Sequence, residues 1–282
     1  GGKTMKAMWN RIDLKERAKN VLRGCFWSAV VVALITGVLT GSFSSGSSGR
    51  GQVQETTYNS IQDDGGNMVG SATDLIFENA RQPQNILARI AGMGFGVVIL
   101  GIGVTMVLFG FAFGVLVGNP IQVGSSRFFM QARETSTGIG EVFYAFRQKE
   151  FWNVVLIMFV MNVKIFLWGL LFVIPGIVKS YEYKMIPYIL AENPGLSMSR
   201  VFELSREMTM NEKMDMFVLN LSFIPWSILS ACTCGLAGIF WVNPYMSATE
   251  AELYAVLRQK VQDSGFSDRY ELPGFGAEQP IF

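Results

Sequence analysis

One long run without a charged side chain constrains this chain more than any other feature of its sequence. The run covers residues 90–118 and reads IAGMGFGVVILGIGVTMVLFGFAFGVLVG. A helix needs about 20 mostly apolar residues to cross the hydrocarbon core of a bilayer. Inside a bilayer each backbone amide and carbonyl must be hydrogen-bonded within the protein, which a helix achieves along its own length. The run therefore predicts a membrane-spanning α-helix.

Further apolar runs predict more spans of the same kind. The whole sequence is 50% hydrophobic and 16% charged, whereas soluble proteins average about 25% charged residues. We therefore expect an all-α, polytopic membrane protein with amphipathic interfacial helices beside its spans. The additional predicted spans are residues 25–41, 151–174, 216–231 and 235–248, the last continuing to about residue 256.

The segment PGIVKSYEYKMIPYILAEN, residues 175–193, leaves the number of spans open. It follows an apolar run directly, yet it contains Lys179, Glu182 and Lys184. If it lies on the outer surface the chain has five spans, and if it crosses the membrane the chain has about six. In the six-span alternative Pro175 starts the fourth span, because proline suits the first turn of a helix.

An internal similarity favours six spans. Residues 117–132, VGNPIQVGSSRFFMQA, align with residues 241–256, WVNPYMSATEAELYAV. Both copies carry Asn-Pro, at Pro120 and at Pro244, where the missing backbone donor should end or kink each span. Membrane proteins often contain such internal repeats. If the two copies share an orientation, the second and last spans run in the same direction, which six spans allow.

Charge in the loops predicts the orientation, because cytoplasmic loops carry an excess of lysine and arginine. Residues 1–23 have seven basic and two acidic side chains, and residues 42–89 have three and five. We predict a cytoplasmic amphipathic lead at 1–24, a six-span domain at 25–260 with an extracytoplasmic loop at 42–89, and a cytoplasmic tail at 261–282. The predicted location is the cell (plasma) membrane, with both termini cytoplasmic.

Two segments look like helices that lie on the membrane surface. In the lead, Asn10 and Asp13 suit a helix N-terminus, and Trp9, Ile12 and Ala18 would face the bilayer. In residues 196–213, apolar side chains line one face and charged ones the other. A helix on the membrane is favoured there over one that docks a partner. The apolar face consists of Val201, Leu204 and Met208.

The composition argues against catalysis. The chain has no histidine, so it lacks the commonest general base, and no histidine joins its three cysteines as a zinc ligand. We expect no enzyme activity, no cofactor and no metal. A net charge of +1 gives no basic field for nucleic acid. Membrane lipids are the expected partners.

Small residues indicate close helix packing. Gly110, Gly114 and Gly118 recur every fourth position, a spacing that lets two helix backbones approach. Packing within one chain is favoured over an interface with a second copy or with another membrane protein.

Five stretches resemble a known family: LKERAKNVLRGCFWSAVVV, VIPGIVKSYEYKMIPYILAENPGLS, LSREMTMNEK, LSFIPWSIL and GIFWVNPYMSATEAELYAVLR. They are similar to the bacterial integral membrane proteins of domain-of-unknown-function family 975. The resemblance implies a six-span protein, mainly of Gram-positive bacteria, and no established activity. In MNEKMDMF this chain departs from the glycine and lysine that related sequences often carry there.

Ionisable residues inside the predicted spans give the candidate site. In an antiparallel hairpin of 151–174 and 175–193, helical rise places Lys164, Glu182 and Lys184 at a similar depth. Charges there are costly unless paired or hydrated. We predict a site for an anion or lipid phosphate, and a structural Lys–Glu pair is an equal alternative. The candidate residues are Lys164, Lys179, Glu182, Lys184, Tyr181 and Tyr188.

Two function hypotheses follow from these residues. One is a transporter or a lipid- or anion-binding permease-like protein that uses the intramembrane lysines. The other is a non-catalytic membrane scaffold or accessory subunit. A hydrated cavity that reaches the lysines would favour the first, and a solid, dry core the second.

Overall fold

The computed structural model describes residues 9–40, 101–134, 137–233 and 235–275. The chain divides into two compact units, one of Gly1–Gly46 with Phe113–Phe282 and the other Ser47–Ala112. Within the described ranges the secondary structure is helical without a β-strand, which confirms the all-α class. In the second unit the described residues, 101–112, are helical.

Ten α-helices of the first unit are numbered here along the described chain. A short 3₁₀ helix, Ile139–Phe143, precedes the third of them. The α-helices are α1 (Arg11–Leu39), α2 (Asn119–Gln131), α3 (Tyr144–Arg147), α4 (Phe151–Leu171), α5 (Val173–Glu182), α6 (Ile186–Glu192), α7 (Met198–Thr209), α8 (Lys213–Leu221), α9 (Ile224–Cys232) and α10 (Asn243–Asp263).

Helix α1 joins the basic lead and the first apolar run. Its start follows the prediction, because the Asn10 side chain accepts a hydrogen bond from the Ile12 amide at 3.1 Å. Cys25 interrupts the helix with non-helical dihedrals of φ −136° and ψ 30°. The kink therefore falls where the amphipathic lead was predicted to give way to the span.

The lead packs on protein, so its predicted place on the bilayer surface is wrong for two of three residues. Ala18 is fully buried, and Trp9 is 8% exposed and donates its indole N–H to Glu212 at 3.0 Å. Ile12 is 70% exposed. Helix α1 as a whole packs on α10. An amphipathic pattern shows which face is buried without showing whether lipid or protein covers it.

Four helices in the described residues are long and apolar enough to cross a membrane. Their length and composition indicate a membrane protein. The two other predicted spans, 175–193 and 235–248, are helical over most of their length but are not among the four. The total of six stays a prediction. The four are Arg11–Leu39, Gly101–Gln131, Phe151–Leu171 and Lys213–Cys232.

The predicted hairpin after α4 is present, but its second arm is broken. Phe172, with extended dihedrals, separates α4 from α5, so the break lies before Pro175 rather than at it. A Cβ on Gly176 would lie 2.7 Å from the Gly169 Cα, which shows how closely the two helix backbones approach. Helix α5 ends at Glu182 and α6 begins at Ile186. A single continuous helix over 175–193 is therefore wrong.

Helix α6 explains this break. Pro187 stands in its first turn, where the missing amide donor costs no intrahelical hydrogen bond. All seven residues of α6 are buried, and the helix packs on α2 and α7. The hairpin arm thus turns into the protein core instead of continuing in its original direction.

The two Asn-Pro copies have the same local structure. A five-residue π-helix, Gly114–Gly118, leads into Asn119-Pro120, and another, Gly238–Val242, leads into Asn243-Pro244. In both, the asparagine amide bonds to the carbonyl five residues back. A proline ring clashes with the carbonyl four residues before it, and the wider π-turn relieves that clash. The chain stays helical through both prolines, so the predicted end of each span is not seen in these described segments; a π-helical turn precedes each proline instead.

Helix α7 is amphipathic as predicted, but its apolar face is in the core. Val201, Leu204 and Met208 are fully buried, and α7 packs on α5, α6 and α10. The predicted position on the membrane surface is wrong for this face, for the same reason as in the lead.

The glycine stripe is in close contact at one end. A Cβ on Gly118 would lie 3.3 Å from the Leu39 carbonyl oxygen, so this glycine lets α1 approach. At Gly110 and Gly114 a Cβ would meet no atom within 4 Å among the described residues. Among the described residues, Gly118 shows the packing role predicted for the stripe, and Gly110 and Gly114 meet no neighbouring backbone.

Candidate functional site

A polar cavity of about 360 Å³ lies between α1, α2, α4, α10 and the turn that joins α5 to α6. Lys184 and Glu250 bring opposite charges to its wall. The apolar wall includes Phe129 and Met161. The uncharged polar side chains that line this polar cavity are Thr36, Gln122, Ser125, Ser126, Asn162, Ser180, Tyr183, Tyr188 and Ser247.

Lys184 and Glu250 form an ion pair in the wall of the polar cavity. The Lys184 Nζ lies 2.8 Å from Glu250 Oε1 and donates a hydrogen bond to Asn220 Oδ1 at 3.2 Å. The Tyr188 hydroxyl donates to Glu250 Oε2 at 3.4 Å. The Tyr188 ring stacks on Tyr254, with centroids 5.4 Å apart. These contacts hold the lysine head group and one hydroxyl donor at the cavity.

The broken hairpin is what brings Lys184 to the cavity. Lys184 lies in the turn between α5 and α6, so its side chain does not follow the face of either helix. The buried α6 anchors that turn next to α2. The interruption of the predicted span therefore places Lys184 at the polar cavity.

The cavity lies where the two repeat copies meet. Ser126 of the first copy and Glu250 of the second occupy corresponding positions in the alignment, and both line the cavity. Asn162 donates to Asn119 Oδ1 at 3.1 Å. The Asn119 side-chain nitrogen is buried without a hydrogen-bond partner in the described part of the chain. The two repeat copies thus have similar backbones, but one presents a serine and the other a glutamate to the same cavity.

Two of the predicted site residues belong to a separate, closed cluster. Glu182 accepts from Lys179 at 2.7 Å and from Lys213 at 2.7 Å. Its backbone carbonyl accepts from the buried Ser205 hydroxyl at 2.7 Å. One carboxylate thus pairs with two lysines, rather than with the one lysine expected. For Lys179 and Glu182 this geometry matches the alternative of a structural pair.

Lys164 and Tyr181 lie in two further places. The Lys164 Nζ is 3.7 Å from the centroid of the Phe202 ring, a cation–π contact with α7. The Tyr181 hydroxyl accepts from Asn220 at 3.0 Å, and Asn220 also contacts Lys184. The six predicted residues therefore do not form one site: Lys184 and Tyr188 line the cavity, Tyr181 is linked to it through Asn220, and the others lie elsewhere.

Glu250 is a charged residue of the cavity wall that the sequence analysis did not single out. Glu250 and Glu252 stand two residues apart on α10 and have different partners: Glu250 pairs with Lys184, whereas Glu252 pairs with Arg133 at 2.8 Å. The signal that could have found Glu250 is the repeat, because it replaces a serine of the other copy by a charge inside a predicted span. Such a charge needs a partner.

Metal binding finds no support in the described residues. Within those ranges no three histidine, cysteine, aspartate or glutamate side chains come together as a set that could hold a metal ion. The charged groups at the polar cavity are one lysine and one glutamate, which suit hydrogen bonding and charge pairing.

Part of the site lies in a region of the chain that matches a known family. Residues 170–261 match the family described as Protein of unknown function (DUF975). The resemblance expected from the sequence is confirmed over these residues. The DUF975 match contains Lys184, Tyr188 and Glu250. No curated protein and no solved structure matches the chain.

Proposed function

We propose that this chain is a permease-like membrane protein that binds a small polar ligand with an anionic group in the polar cavity. The observation that carries the proposal is a cavity of about 360 Å³ between helices with Lys184 at its wall. Ligand sites have volumes of about 300–1,000 Å³, so this one suits a small molecule. No catalytic role is proposed.

The side chains in the cavity wall support a ligand with an anionic group. Lys184 already balances one carboxylate, Glu250, at 2.8 Å. A ligand carboxylate or phosphate can take the place of that carboxylate, and serine and tyrosine hydroxyls can donate to its remaining oxygens. A charged group in a membrane interior is costly unless it is paired or hydrated, which makes Lys184 receptive to an anion.

The position between two repeats supports transport rather than storage. In transporters built from repeats, the substrate site lies at the interface between the copies, and irregular helices line it. Here a π-helical turn precedes each Asn-Pro, and both helices that follow line the cavity. Movement of one copy against the other can open such a site to either side of the membrane.

The proposal also includes the membrane in which the chain lies and its orientation there. We place the chain in the cell membrane with six spans, both termini cytoplasmic and residues 42–89 outside. The loop charges support this arrangement. Residues 175–193 and 235–256 would complete the six spans, although neither segment alone has the length and hydropathy of the other four.

A thiol-accessibility experiment separates this proposal from a scaffold or accessory subunit. Ser247→Cys and Ser126→Cys would be introduced singly into a background without Cys25, Cys232 and Cys234. We expect both to react with a water-soluble methanethiosulfonate, with Ser264→Cys as an exposed reference. If the reference reacts and neither cavity position does, the cavity is dry and the scaffold alternative is favoured.

A second experiment tests the anion directly. Uptake of radiolabelled acetate and of inorganic phosphate into proteoliposomes would be compared for the unmodified chain and for Lys184→Met. Loss of a charge-assisted contact should lower uptake about tenfold or more. Lys149→Met, at an exposed lysine away from the cavity, is the matched control. Equal uptake by Lys184→Met and the control would contradict the role of Lys184.

A further inference from the structure

A basic stripe lines the first half of α1. Arg11, Lys15, Lys19 and Arg23 recur every fourth residue, so they lie along one side of the helix, each about 6 Å further along its axis. Among the described residues none of the four forms an ion pair. The stripe ends just before the kink at Cys25.

A groove of about 430 Å³ runs along this stripe, between the start of α1 and Tyr245 of α10. Lys15, Lys19 and Arg23 line it, with Glu16 as the acidic residue in its lining. Three positive charges against one negative charge leave the groove net positive. We call it the basic groove.

The lysines of the basic groove are held by neutral partners. The Lys15 Nζ donates to the Ser222 hydroxyl at 2.6 Å and lies 4.3 Å from the Phe223 ring centroid. The Lys19 Nζ lies 5.8 Å from the Tyr245 ring centroid. Hydroxyl and aromatic contacts orient an ammonium group but do not cancel its charge. The groove is therefore prepared for an anion that the chain itself does not supply.

An exposed apolar face follows the basic groove along α1, beyond the kink at Cys25. It begins at Trp27, and helical spacing past the kink places Val31, Leu34 and Val38 on the same face as Trp27. All four apolar side chains are exposed. A free phosphate would use the cations alone, whereas a phospholipid would use the cations and the apolar face together.

We propose that the basic groove binds the phosphate of an acidic phospholipid, with an acyl chain along the apolar face that begins at Trp27. Basic residues next to a spanning helix attract anionic headgroups, and here three of them share a groove where the apolar helix begins. The assignment is independent of the polar cavity, which uses other helices and other side chains.

Lipid binding to the purified full chain tests the proposal. Native mass spectrometry in neutral detergent would count bound phosphatidylglycerol and phosphatidylcholine at equal concentrations. Each basic residue beside an anionic lipid strengthens binding about fivefold, so Lys19→Gln with Arg23→Gln should weaken phosphatidylglycerol binding about 25-fold. Arg17→Gln with Lys149→Gln removes the same charge at exposed positions outside the groove and should bind as the unmodified chain does.

The outcomes separate the two sources of phosphate. Preferential phosphatidylglycerol binding that only the groove variant loses supports the proposal. Equal phosphatidylglycerol binding by the groove variant and the control overturns it. Competition of phosphatidylglycerol by millimolar glycerol phosphate at unchanged ionic strength would also overturn it, because the apolar face would then contribute nothing. Thermal unfolding midpoints show that the variants remain folded.

Discussion

The Glu182 carboxylate forms ion pairs with lysines from two different helices. It is 5% exposed and accepts from lysines on α5 and α8, both at 2.7 Å. Removing one member of a buried ion pair costs more than forming the pair gains, because the remaining charge stays buried. Two lysines would be left facing each other here.

Replacing Glu182 with glutamine should therefore lower stability strongly. We expect a loss of about 3 kcal/mol in the free energy of unfolding, as for other broken buried pairs. Glu203→Gln is the matched control, because Glu203 also pairs with a cation but its side chain is 57% exposed; its loss should stay within about 1 kcal/mol. Unfolding in detergent, followed by circular dichroism, measures both. Equal losses would mean that Glu182 is hydrated.

At the scale of elements, a glycine decides how closely α2 approaches the 3₁₀ helix. A Cβ placed on Gly124 would overlap the carbonyl oxygen, carbonyl carbon and Cα of Val142. Backbone atoms cannot move aside as a flexible side chain can. The close contact therefore depends on the absence of a side chain at this position.

Gly124→Ala should separate these two elements. Overpacking a core typically costs about 1–3 kcal/mol, and a clash with backbone should lie at or above the upper end. Gly138→Ala, just before the same 3₁₀ helix, meets no atom within 4 Å among the described residues and should be nearly neutral. Thermal unfolding measures the stability of the two variants. A neutral Gly124→Ala would show that the contact can open without cost.

The C-terminal tail is tied to α7 by Arg200. Its guanidinium donates to both carboxylate oxygens of Glu271, at 2.6 and 3.0 Å, and to the Phe266 carbonyl at 2.6 Å. The Ser267 hydroxyl donates to Glu271 at 2.7 Å. The hydrogen bonds from Arg200 hold the pKa of Glu271 below its usual value of 4.5, and burial opposes them.

This pKa shift predicts how tail docking depends on pH. A carboxyl whose pKa is lower in the folded state stabilises that state above its usual pKa and loses this contribution as pH falls through the lowered value. The unfolding midpoint of the unmodified chain should therefore exceed that of Glu271→Gln at pH 7. The difference should shrink as pH falls below 4.5. A difference that stays constant between pH 7 and pH 3 would contradict the pairing.

For the whole molecule, orientation in the membrane is the main open prediction. With the N-terminus in the cytoplasm, as the loop charges predict, six spans place the C-terminus there too, and five would place it outside. The buried α6 does not fit a continuous spanning helix, so residues 173–192 would cross as two short helices, with α5 largely exposed and the turn and α6 packed in protein. Irregular backbone at membrane depth is tolerated where protein surrounds it.

Single-cysteine labelling in intact cells tests the orientation. In the cysteine-free background, Ser45→Cys should react with a membrane-impermeant maleimide, whereas Ser197→Cys and Ser264→Cys should react only after the membrane is opened. Labelling of Ser197→Cys or Ser264→Cys from outside would exclude the six-span arrangement. Reaction of all three after lysis serves as the control for accessibility.

The sequence determined by itself those features that depend on neighbouring residues in the chain. Apolar runs give the helices and Asn10 gives the start of α1, because helical hydrogen bonding and capping act over a few residues. The resemblance to family 975 also follows from local motifs. These predictions required no knowledge of which helices are neighbours.

Only the tertiary structure decided which partner covers each face and which charges meet. The lead and α7 are amphipathic in the sequence, but lipid and protein are equally apolar partners, so the pattern could not show that the apolar faces are buried in protein. Likewise, Lys184 pairs with Glu250 and not with Glu182, although Glu182 is only two residues away. Residues two apart on a helix point in different directions, and the break before α6 turns the lysine toward α10. Long-range packing, which a single helix does not encode, therefore formed the polar cavity.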